Sequence, residues 1–596
     1  MTPWQAHYSA LNVWPMPTGV TLPSPALGPH AITVGAPTVS STCGPRIEAL
    51  AVEALTLATV FRGPTLTYEE EPYKEAHDAA CSPTSRCSSD SDCVGDDTCY
   101  VRSDVLWSST VACAPSTAFQ VGCGCCTLSR LPSITALTVT CRDSDGDDES
   151  YALNVTDKAI QISAAAPIGA AHALSTLGQL LRWDTRLMTH VLDVVPLALE
   201  DSPRFTWRGL MIDTSRHFIP VAQLLATVDA MAAAKLNVLH WHIVDSPSFP
   251  LQSAAYPELS REGSWSRSPA TVYTPADVQS VVARGVSRFV RVVLEVDTPA
   301  HTLAMAKSHP ELVPDGCWEW MASSQFKVDI DSDDTMALDP TNKGARDMVR
   351  TLLAEAAALG GNESTHLHVG GDEVKYGCWN ASASIRATVT KRYGNTTAAA
   401  YARLQAEWTA NVSTAAVVAA GKVPVVWQPT TQGPGDPAWD EALPANTVYM
   451  VWLNQQSAAS YAAAGRDVVY TTPFYVAGMG SNGWLNVYNA PLLPTNPPLS
   501  PKAAKHVLGG EVCAWGESLS GANLAFRAFT IGAAAAESFW RDHAEGHSVG
   551  EASGLGLGDR YNRFLCHVRR FGVDPPPIMP SYCAALGEVS SAQRWA

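Results

Sequence analysis

The chain has 596 residues, 46% of them hydrophobic and 16% charged, which is enough for several domains with buried cores. Its formal net charge of -17 argues against nucleic acid as a partner, because binding to a phosphate backbone requires a basic face. It contains no apolar run of about 18 residues, so no membrane span is predicted. The first residues lack the charged-then-apolar layout of a signal peptide, so we expect any leader to lie outside this sequence.

Cysteines and glycosylation motifs point to an oxidising compartment. Ten of the 15 cysteines precede residue 142. The spacing of Cys87, Cys93 and Cys99 could suit zinc, but that segment has no Cys-x-x-Cys pair and no nearby histidine, so a disulfide-stapled insert is favoured. Five Asn-x-Ser/Thr motifs support the secretory pathway, with a lysosomal or extracellular destination. These candidate glycosylation sites are Asn154, Asn362, Asn380, Asn395 and Asn411.

Residues 1–200 are predicted to form a small α+β domain that carries a cysteine-rich insert at about 81–126. Apolar residues at helical spacing predict helices over 45–62 and 167–182. The Asp-rich segment 143–150 lacks the glycine that an EF-hand loop needs, and we interpret it as a solvated turn rather than a calcium site. Alternating patterns predict three strands, over 134–140, 150–156 and 159–164.

From residue 201 to 596, short apolar runs alternate with amphipathic helices such as the one predicted over 221–235. Runs that are apolar on both faces are typical of parallel strands covered by helices, and eight of them predict an α/β fold of the (β/α)8 TIM-barrel type. A doubly wound sheet is the alternative, but it would usually have fewer units. The eight runs are 207–215, 237–245, 291–297, 366–373, 423–428, 447–453, 467–475 and 507–515.

Chemically active side chains collect near the ends of these runs, where a barrel carries its active site. Taken alone, a Trp usually belongs to a core and an Asp often caps a helix. Taken together, aromatic walls with carboxylates between them suit a sugar, and glycoside hydrolysis usually needs two carboxyl groups. The candidates are Arg208, Asp245, Asp297, His301, the adjacent pair Asp372 and Glu373, Trp427, Trp452, Tyr475, Trp515 and Glu517.

The same region carries six ordered motifs: RGLMIDTSRHFIP, KLNVLHWHIVDSPSFP, LEVDTPAHT, HVGGDEV, VVWQ and GGEVCAWGE. Over about residues 203–583, and weakly in the N-terminal domain at NVWPMP, the chain resembles the eukaryotic β-N-acetylhexosaminidases of glycoside hydrolase family 20. The resemblance implies a retaining exo-hydrolase that removes terminal β-linked N-acetylglucosamine or N-acetylgalactosamine. The acetamido group of the substrate would be the nucleophile, and an oxazolinium ion would be the intermediate.

The resemblance also implies roles for the candidate residues other than Asp297. Glu373 would act as the general acid and then as the base that activates water. Asp372 would orient the acetamide and stabilise the positive charge on its nitrogen, and an ionised Asp372 would help keep Glu373 protonated. Tyr475 would hydrogen-bond the acetamide oxygen. Asp245 and His301 would support Glu373 through hydrogen bonds. The walls of the pocket would be formed by Trp427, Trp452 and Trp515. Arg208 and Glu517 would hold the 3- and 4-hydroxyls of the sugar.

By the same resemblance we expect the disulfides Cys317–Cys378 and Cys566–Cys583 and a free thiol at Cys513. The other ten cysteines are expected to pair among themselves in the small domain. No metal or other cofactor is expected, and the expected partners are glycans or glycoconjugates that end in N-acetylhexosamine, with a homodimer kept open. Two other functions remain as alternatives: a catalytically inactive glycan-binding protein, and a chitinolytic or disaccharide-releasing hydrolase on the same fold.

Overall fold

The chain divides into two compact units, Gly19–Asp147 with Tyr151–Glu200, and Met1–Thr18 with Asp148–Ser150 and Asp201–Ala596. The predicted cysteine-rich insert at 81–126 lies outside the described residues. The structure, a computed structural model, describes residues 13–17, 19–21, 30–60, 133–143, 145–184, 189–323, 336–429, 442–476, 479, 483–493, 498–542, 557–578 and 583.

The described part of the smaller unit is a mixed sheet with two helices, which confirms the predicted α+β class. The predicted strands are present with bounds within two residues, and they alternate between buried and exposed positions. A disulfide joins Cys43 to Cys141 at the end of one of them. The strand order is β1-β8-β4-β5-β3-β2-β7-β6. The elements are β1 Gly19–Thr21, β2 His30–Ser41, α1 Pro45–Val60, β3 Ser133–Cys141, β4 Tyr151–Val155, β5 Ala159–Ala164, α2 Pro167–Leu180, β6 Arg182–Asp184, β7 Thr189–Val195 and β8 Leu197–Asp201.

The larger unit contains a closed barrel of eight parallel strands, so the predicted barrel is confirmed and the doubly wound alternative is wrong. Each predicted run contributes one strand, and each strand is shorter than its run, mainly at the carboxyl end. The strands are β9 Trp207–Asp213, β10 Val238–Val244, β11 Arg291–Val296, β12 His366–His368, β13 Val423–Trp427, β14 Val448–Val451, β15 Asp467–Tyr470 and β16 Val507–Ala514.

Helices cover the outside of the barrel, and their apolar side chains form one continuous core with the outward-facing strand residues. The helix after β9 matches the predicted 221–235 to within two residues. The helices of this unit are α3 Val221–Ala233, α4 Pro257–Gly263, α5 Pro275–Arg288, α6 Leu303–Ala306, α7 Cys317–Ser323, α8 Lys343–Gly360, α9 Tyr376–Ala381, α10 Ala383–Tyr393, α11 Ala398–Trp408, α12 Ala415–Ala419, α13 Gln455–Ala463, α14 Gly483–Asn489, α15 Pro501–Ala504, α16 Ala535–Trp540 and α17 Leu557–Val568.

The barrel interior is partly polar. His240 of β10 lies between two carboxylates, with Nδ1 2.7 Å from Glu511 Oε1 and Nε2 2.9 Å from Glu295 Oε2. Gly209 makes room for this network, since a Cβ there would lie 2.3 Å from Glu511 Oε2. All these side chains are fully buried, so the charges are stabilised by one another rather than by water.

Cysteine pairing in this unit follows the expectation. The disulfides Cys317–Cys378, which joins α7 to α9, and Cys566–Cys583 are both present. Cys513 is a buried free thiol in β16. The five candidate glycosylation asparagines are all exposed. No helix of the described chain is long and apolar enough to cross a membrane.

Candidate active site

A tight backbone turn after β12 explains how two adjacent acids occupy one site. Gly370 and Gly371 have φ values of +65° and +98°, and a Cβ on Gly370 would lie 1.7 Å from Asp297 Oδ1. The backbone N–H of Gly371 donates to that same oxygen at 3.0 Å. Glu373 is itself left-handed at φ +39°, a conformation that costs roughly 1–3 kcal/mol in a residue other than glycine. The turn therefore lets both side chains reach one site, where a carboxylate oxygen of Asp372 lies within 4.8 Å of one of Glu373.

Asp372 lies deep in the site and is 7% exposed. Among the described residues, its Oδ1 atom has no hydrogen-bond donor. Burial raises the pKa of Asp372 to about 6, the charges of Glu373 and Glu295 act in the same direction, and His301 opposes them. A buried carboxylate oxygen without a donor is costly, so this atom is suited to a donor brought by a ligand.

Glu373 is held by a chain of polar side chains. The Nε2 atom of His301 lies 3.6 Å from Glu373 Oε2, and its Nδ1 atom lies 3.2 Å from Asp245 Oδ1. Asp245 also accepts a hydrogen bond at 2.7 Å from His242 Nε2. On the other side, Lys375 Nζ lies 3.5 Å from Glu373 Oε1. The structure thus brings Asp245, His301 and Glu373 together as expected.

The two acids of the pair lie in different electrostatic surroundings. Burial acts to lower the pKa of His301, but the charges of Asp245 and Asp297 outweigh it and hold that pKa well above its ordinary value. Burial acts to raise the pKa of Glu373, but its contacts with His301 and Lys375 outweigh burial and lower it. The surroundings of the two carboxyl groups therefore favour the charged form of Glu373 and the neutral form of Asp372.

Four aromatic side chains form a wall beside the acids, in one cluster with the upper barrel core. Trp427 is fully buried, and its indole N–H donates to Glu295 Oε1 at 2.6 Å. Trp515 lies next to it with ring centroids 5.7 Å apart, and Tyr475 lies 6.2 Å from Trp515. Trp452 is half-buried and donates to the carbonyl of Gln428. Burial raises the pKa of Tyr475 well above its ordinary value, so its hydroxyl remains a neutral donor.

Arg208 does not lie in this site, contrary to the prediction. It is the second residue of β9 and pairs in register with Gly510 near the start of β16, so it lies at the amino end of the strands. It is fully buried, and its guanidinium binds Glu149 and stacks on Trp540 at 5.0 Å. Glu149 is correspondingly buried, so the interpretation of 143–150 as a solvated turn is wrong at that residue.

Arg216, which sequence reasoning missed, occupies the place expected for Arg208. It follows the carboxyl end of β9, and its guanidinium contacts Asp213 at 3.1 Å and Asp245 at 2.5 Å. It also lies over the Trp515 ring at 5.2 Å and 4.0 Å from Glu517 Oε1. Glu517 is exposed, with its pKa raised by partial burial and lowered in part by Arg216. The motif IDTSRH could have indicated Arg216, because this arginine follows the predicted strand, whereas Arg208 stands at its start.

Three groups of side chains in the described chain could geometrically hold a metal: His240 with Glu295 and His368, Asp245 with Asp297 and His301, and His301 with Asp372 and the half-buried Glu373. Each contains a histidine whose pKa is raised by carboxylates against the effect of burial, to about 9 for His240. A protonated imidazole offers no lone pair to a metal.

Comparisons with known proteins agree with this geometry. The profile of the glycosyl hydrolase family 20 catalytic domain matches residues 205–543, and a profile described as beta-acetyl hexosaminidase like matches residues 68–180. The chain is 32% identical over 448 residues to the beta-hexosaminidase subunit beta of Felis catus, which covers 73% of this chain and 76% of the relative. It is likewise 32% identical to the human subunit beta over 441 residues, with 73% of each chain covered.

Solved structures show the same fold at lower identity. The chitobiase of Flavobacterium johnsoniae has a TM-score of 0.68 and 23% identity, covering 95% of this chain and 73% of that one. The β-N-acetylhexosaminidase of Streptomyces coelicolor A3(2) has a TM-score of 0.62 and 21% identity, covering 96% of this chain and 99% of that one.

Proposed function

The chain belongs to glycosyl hydrolase family 20 and is a glycoside hydrolase of the β-N-acetylhexosaminidase type, and from this premise we propose its mechanism and specificity. It removes a terminal β-linked N-acetylglucosamine or N-acetylgalactosamine from a glycan, with retention at the anomeric carbon. The nucleophile is the carbonyl oxygen of the sugar's 2-acetamido group, which forms an oxazolinium intermediate. Substrate assistance of this kind is a recognised exception to the two-carboxylate scheme.

The observation that carries this proposal is the buried Oδ1 atom of Asp372, which has no donor among the described residues. The acetamide N–H of the sugar supplies that donor, and the neutral hydroxyl of Tyr475 holds the acetamide oxygen. As this oxygen attacks the anomeric carbon, positive charge develops on the amide nitrogen beside Asp372. Because the nucleophile belongs to the bound substrate, no bimolecular encounter is needed.

Glu373 acts on the other side of the glycosidic bond. As the general acid it gives its proton to the departing oxygen, and in the second step it takes a proton from the water that opens the oxazolinium. The free-enzyme site lowers the pKa of Glu373, so a protonated Glu373 is a strong acid. Asp245 and His301 position its carboxyl group.

The remaining residues select a terminal sugar. Trp427, Trp452 and Trp515 pack against the acetamide and the apolar face of the ring. Arg216, rather than Arg208, binds the 3- and 4-hydroxyls together with Glu517, which lies 4.0 Å from it. A salt-bridged arginine at the end of the pocket suits exo rather than endo cleavage, since a longer chain would have to pass through it.

We place the enzyme in the secretory pathway, at a lysosomal or extracellular destination. Three disulfides in the described chain and five exposed Asn-x-Ser/Thr asparagines support an oxidising, glycosylating route.

The test is hydrolysis of 4-nitrophenyl β-N-acetylglucosaminide and β-N-acetylgalactosaminide, with the first-formed anomer followed by proton NMR. We expect turnover with the β-anomer of the free sugar appearing first. The N-trifluoroacetyl analogue should react more slowly, because its carbonyl is a poorer nucleophile. Initial formation of the α-anomer would refute retention, and binding without turnover would favour the glycan-binding alternative.

A further inference from the structure

Lys375 is a charged residue beside the proposed acid that the mechanism above does not use. It stands at the N-cap position of α9, two residues after Glu373. Its Nζ atom lies 3.5 Å from Glu373 Oε1, and its side chain is 27% exposed against 19% for Glu373. A cation therefore stands at the solvent edge of the site, within reach of the acid's outer oxygen.

The two oxygens of Glu373 have different surroundings. Oε2 faces His301, which is buried, whereas Oε1 faces the more exposed Lys375. The groups that act on Glu373 are the cations of His301 and Lys375 together with Asp372 and Tyr475. Since the sugar that is removed fills the walled pocket, the leaving group extends toward solvent, on the side of Lys375.

A tryptophan packs against the helix that begins directly after this cation. The disulfide Cys317–Cys378 joins α7 to α9, and a Cβ on Gly377 would lie 2.2 Å from Trp320 Cε2. The indole of Trp320 therefore lies against the backbone of Gly377, two residues from Lys375, and it is half-buried. An indole on the same short helix-and-turn segment as a cation suits a sugar ring that carries an acidic group.

We propose that Lys375, with Trp320, forms a subsite for a leaving-group sugar that carries a carboxylate. This inference rests on the proposed function and adds the chemical class of the leaving group. The carboxylate pairs with Lys375 and draws its charge away from Glu373 Oε1, so that Glu373 more readily holds the proton it must donate. With a neutral leaving group, Lys375 remains paired with Glu373 Oε1. The cation also offsets the repulsion that the net charge of -17 exerts on an anionic substrate.

The experiment compares two disaccharides in which N-acetylglucosamine is β-linked to glucuronic acid or to glucose, with 4-nitrophenyl β-N-acetylglucosaminide as the uncharged reference. The proteins are wild type, Lys375→Gln and Lys502→Gln. Lys502 is exposed in α15, which precedes β16 and so lies at the opposite end of the barrel. We expect wild type and Lys502→Gln to prefer the acidic disaccharide in kcat/KM by about two- to fivefold. The preference should disappear in Lys375→Gln.

The pH profile gives a second readout that a structural role would not move. On the uncharged aryl glycoside, loss of the cation in Lys375→Gln should shift the upper limb of kcat/KM to higher pH, because Glu373 then keeps its proton longer. Lys375→Arg retains the charge and should retain the preference. It keeps the proposal testable if the Gln variant folds poorly. An unchanged ratio of the two disaccharides in Lys375→Gln would overturn the proposal. Failure of the wild type to cleave the aryl glycoside would instead refute the proposed function itself.

Discussion

The substitution Asp372→Asn is expected to slow the enzyme and to stabilise its fold at neutral pH. Asp372 is buried, its Oδ1 atom has no donor among the described residues, and burial raises its pKa from 3.8 to about 6. A site that lacks a donor for Asp372 can accept the N–H of a bound amide, but without that amide it destabilises the ionised carboxylate of Asp372. Asparagine has nearly the same shape and removes the charge.

The stability gain follows from the pKa. A rise from 3.8 to about 6 corresponds to about 3 kcal/mol at about 1.36 kcal/mol per pH unit. Because the pKa in the folded state lies above that in the unfolded state, folding is penalised at pH values above about 6, and the penalty vanishes below about pH 4. Asp372→Asn should therefore gain up to about 3 kcal/mol in free energy of unfolding at pH 7 and nothing at pH 4.

The rate loss follows from the lost charge. A positive amide nitrogen about 4 Å from the carboxylate gains about 4 kcal/mol at an effective dielectric constant of about 20. Its removal corresponds to a decrease in kcat/KM of about 10³-fold, for aryl and alkyl leaving groups alike, since Asp372 acts on the internal nucleophile.

Denaturant unfolding at pH 4 and pH 7, with kcat/KM on one aryl and one alkyl glycoside, measures both effects. Asp157→Asn, at an exposed turn between β4 and β5, is the matched control and should change neither. A destabilised variant at pH 7, or a stability gain that persists at pH 4, would show that the charge of Asp372 is not the cause. A loss confined to the alkyl substrate would reverse the roles of the two acids.

Three further predictions follow from individual contacts. Glu373→Gln should lose roughly 10²–10⁴-fold in kcat/KM on an alkyl glycoside. The loss should be far smaller on an activated aryl glycoside, whose aryl oxide departs without a proton from the enzyme, and equal losses would contradict the role of Glu373 as acid. Arg208→Gln should lower the free energy of unfolding by about 3–5 kcal/mol by removing the guanidinium partner of the buried Glu149, whereas Arg216→Gln should mainly raise KM; the opposite pattern in unfolding and kinetic assays would restore Arg208 to the site. Peptide mapping should find Cys513 alkylated only after unfolding, and a Cys513 disulfide would contradict the pairing.

The barrel could be predicted because its strands are covered on both faces. β9 and β10 are buried along their whole lengths, so hydrophobicity alone marks them. The prediction for Arg208 was wrong because it assigned the whole run 207–215 to the carboxyl end of the strand. A seven-residue strand spans roughly 20 Å, so an arginine at its second position and one beyond its end lie at opposite ends of the barrel.

Other features depend on partners that local sequence does not reveal. Glu149 lies in an Asp-rich segment whose composition indicates a solvated turn, but its guanidinium partner comes from 59 residues away. The protonation of the acids is similar. The sequence shows that Asp372 and Glu373 are neighbours, while their relative acidity depends on His301, on Lys375 and on how deeply each side chain is buried.

The turn at Gly370 and Gly371 explains why the chemistry is carried by consecutive residues. In a regular strand, neighbouring side chains point to opposite faces, and one acid of the pair would enter the helix layer. Two glycines with positive φ and a left-handed Glu373 end the strand before the pair, so both carboxyl groups stay on the open face of the barrel. There they experience different surroundings: Asp372 is buried and its Oδ1 atom has no donor in the described part of the chain, whereas Glu373 lies between two cations. This difference lets one acid serve the amide while its neighbour exchanges a proton with the leaving group.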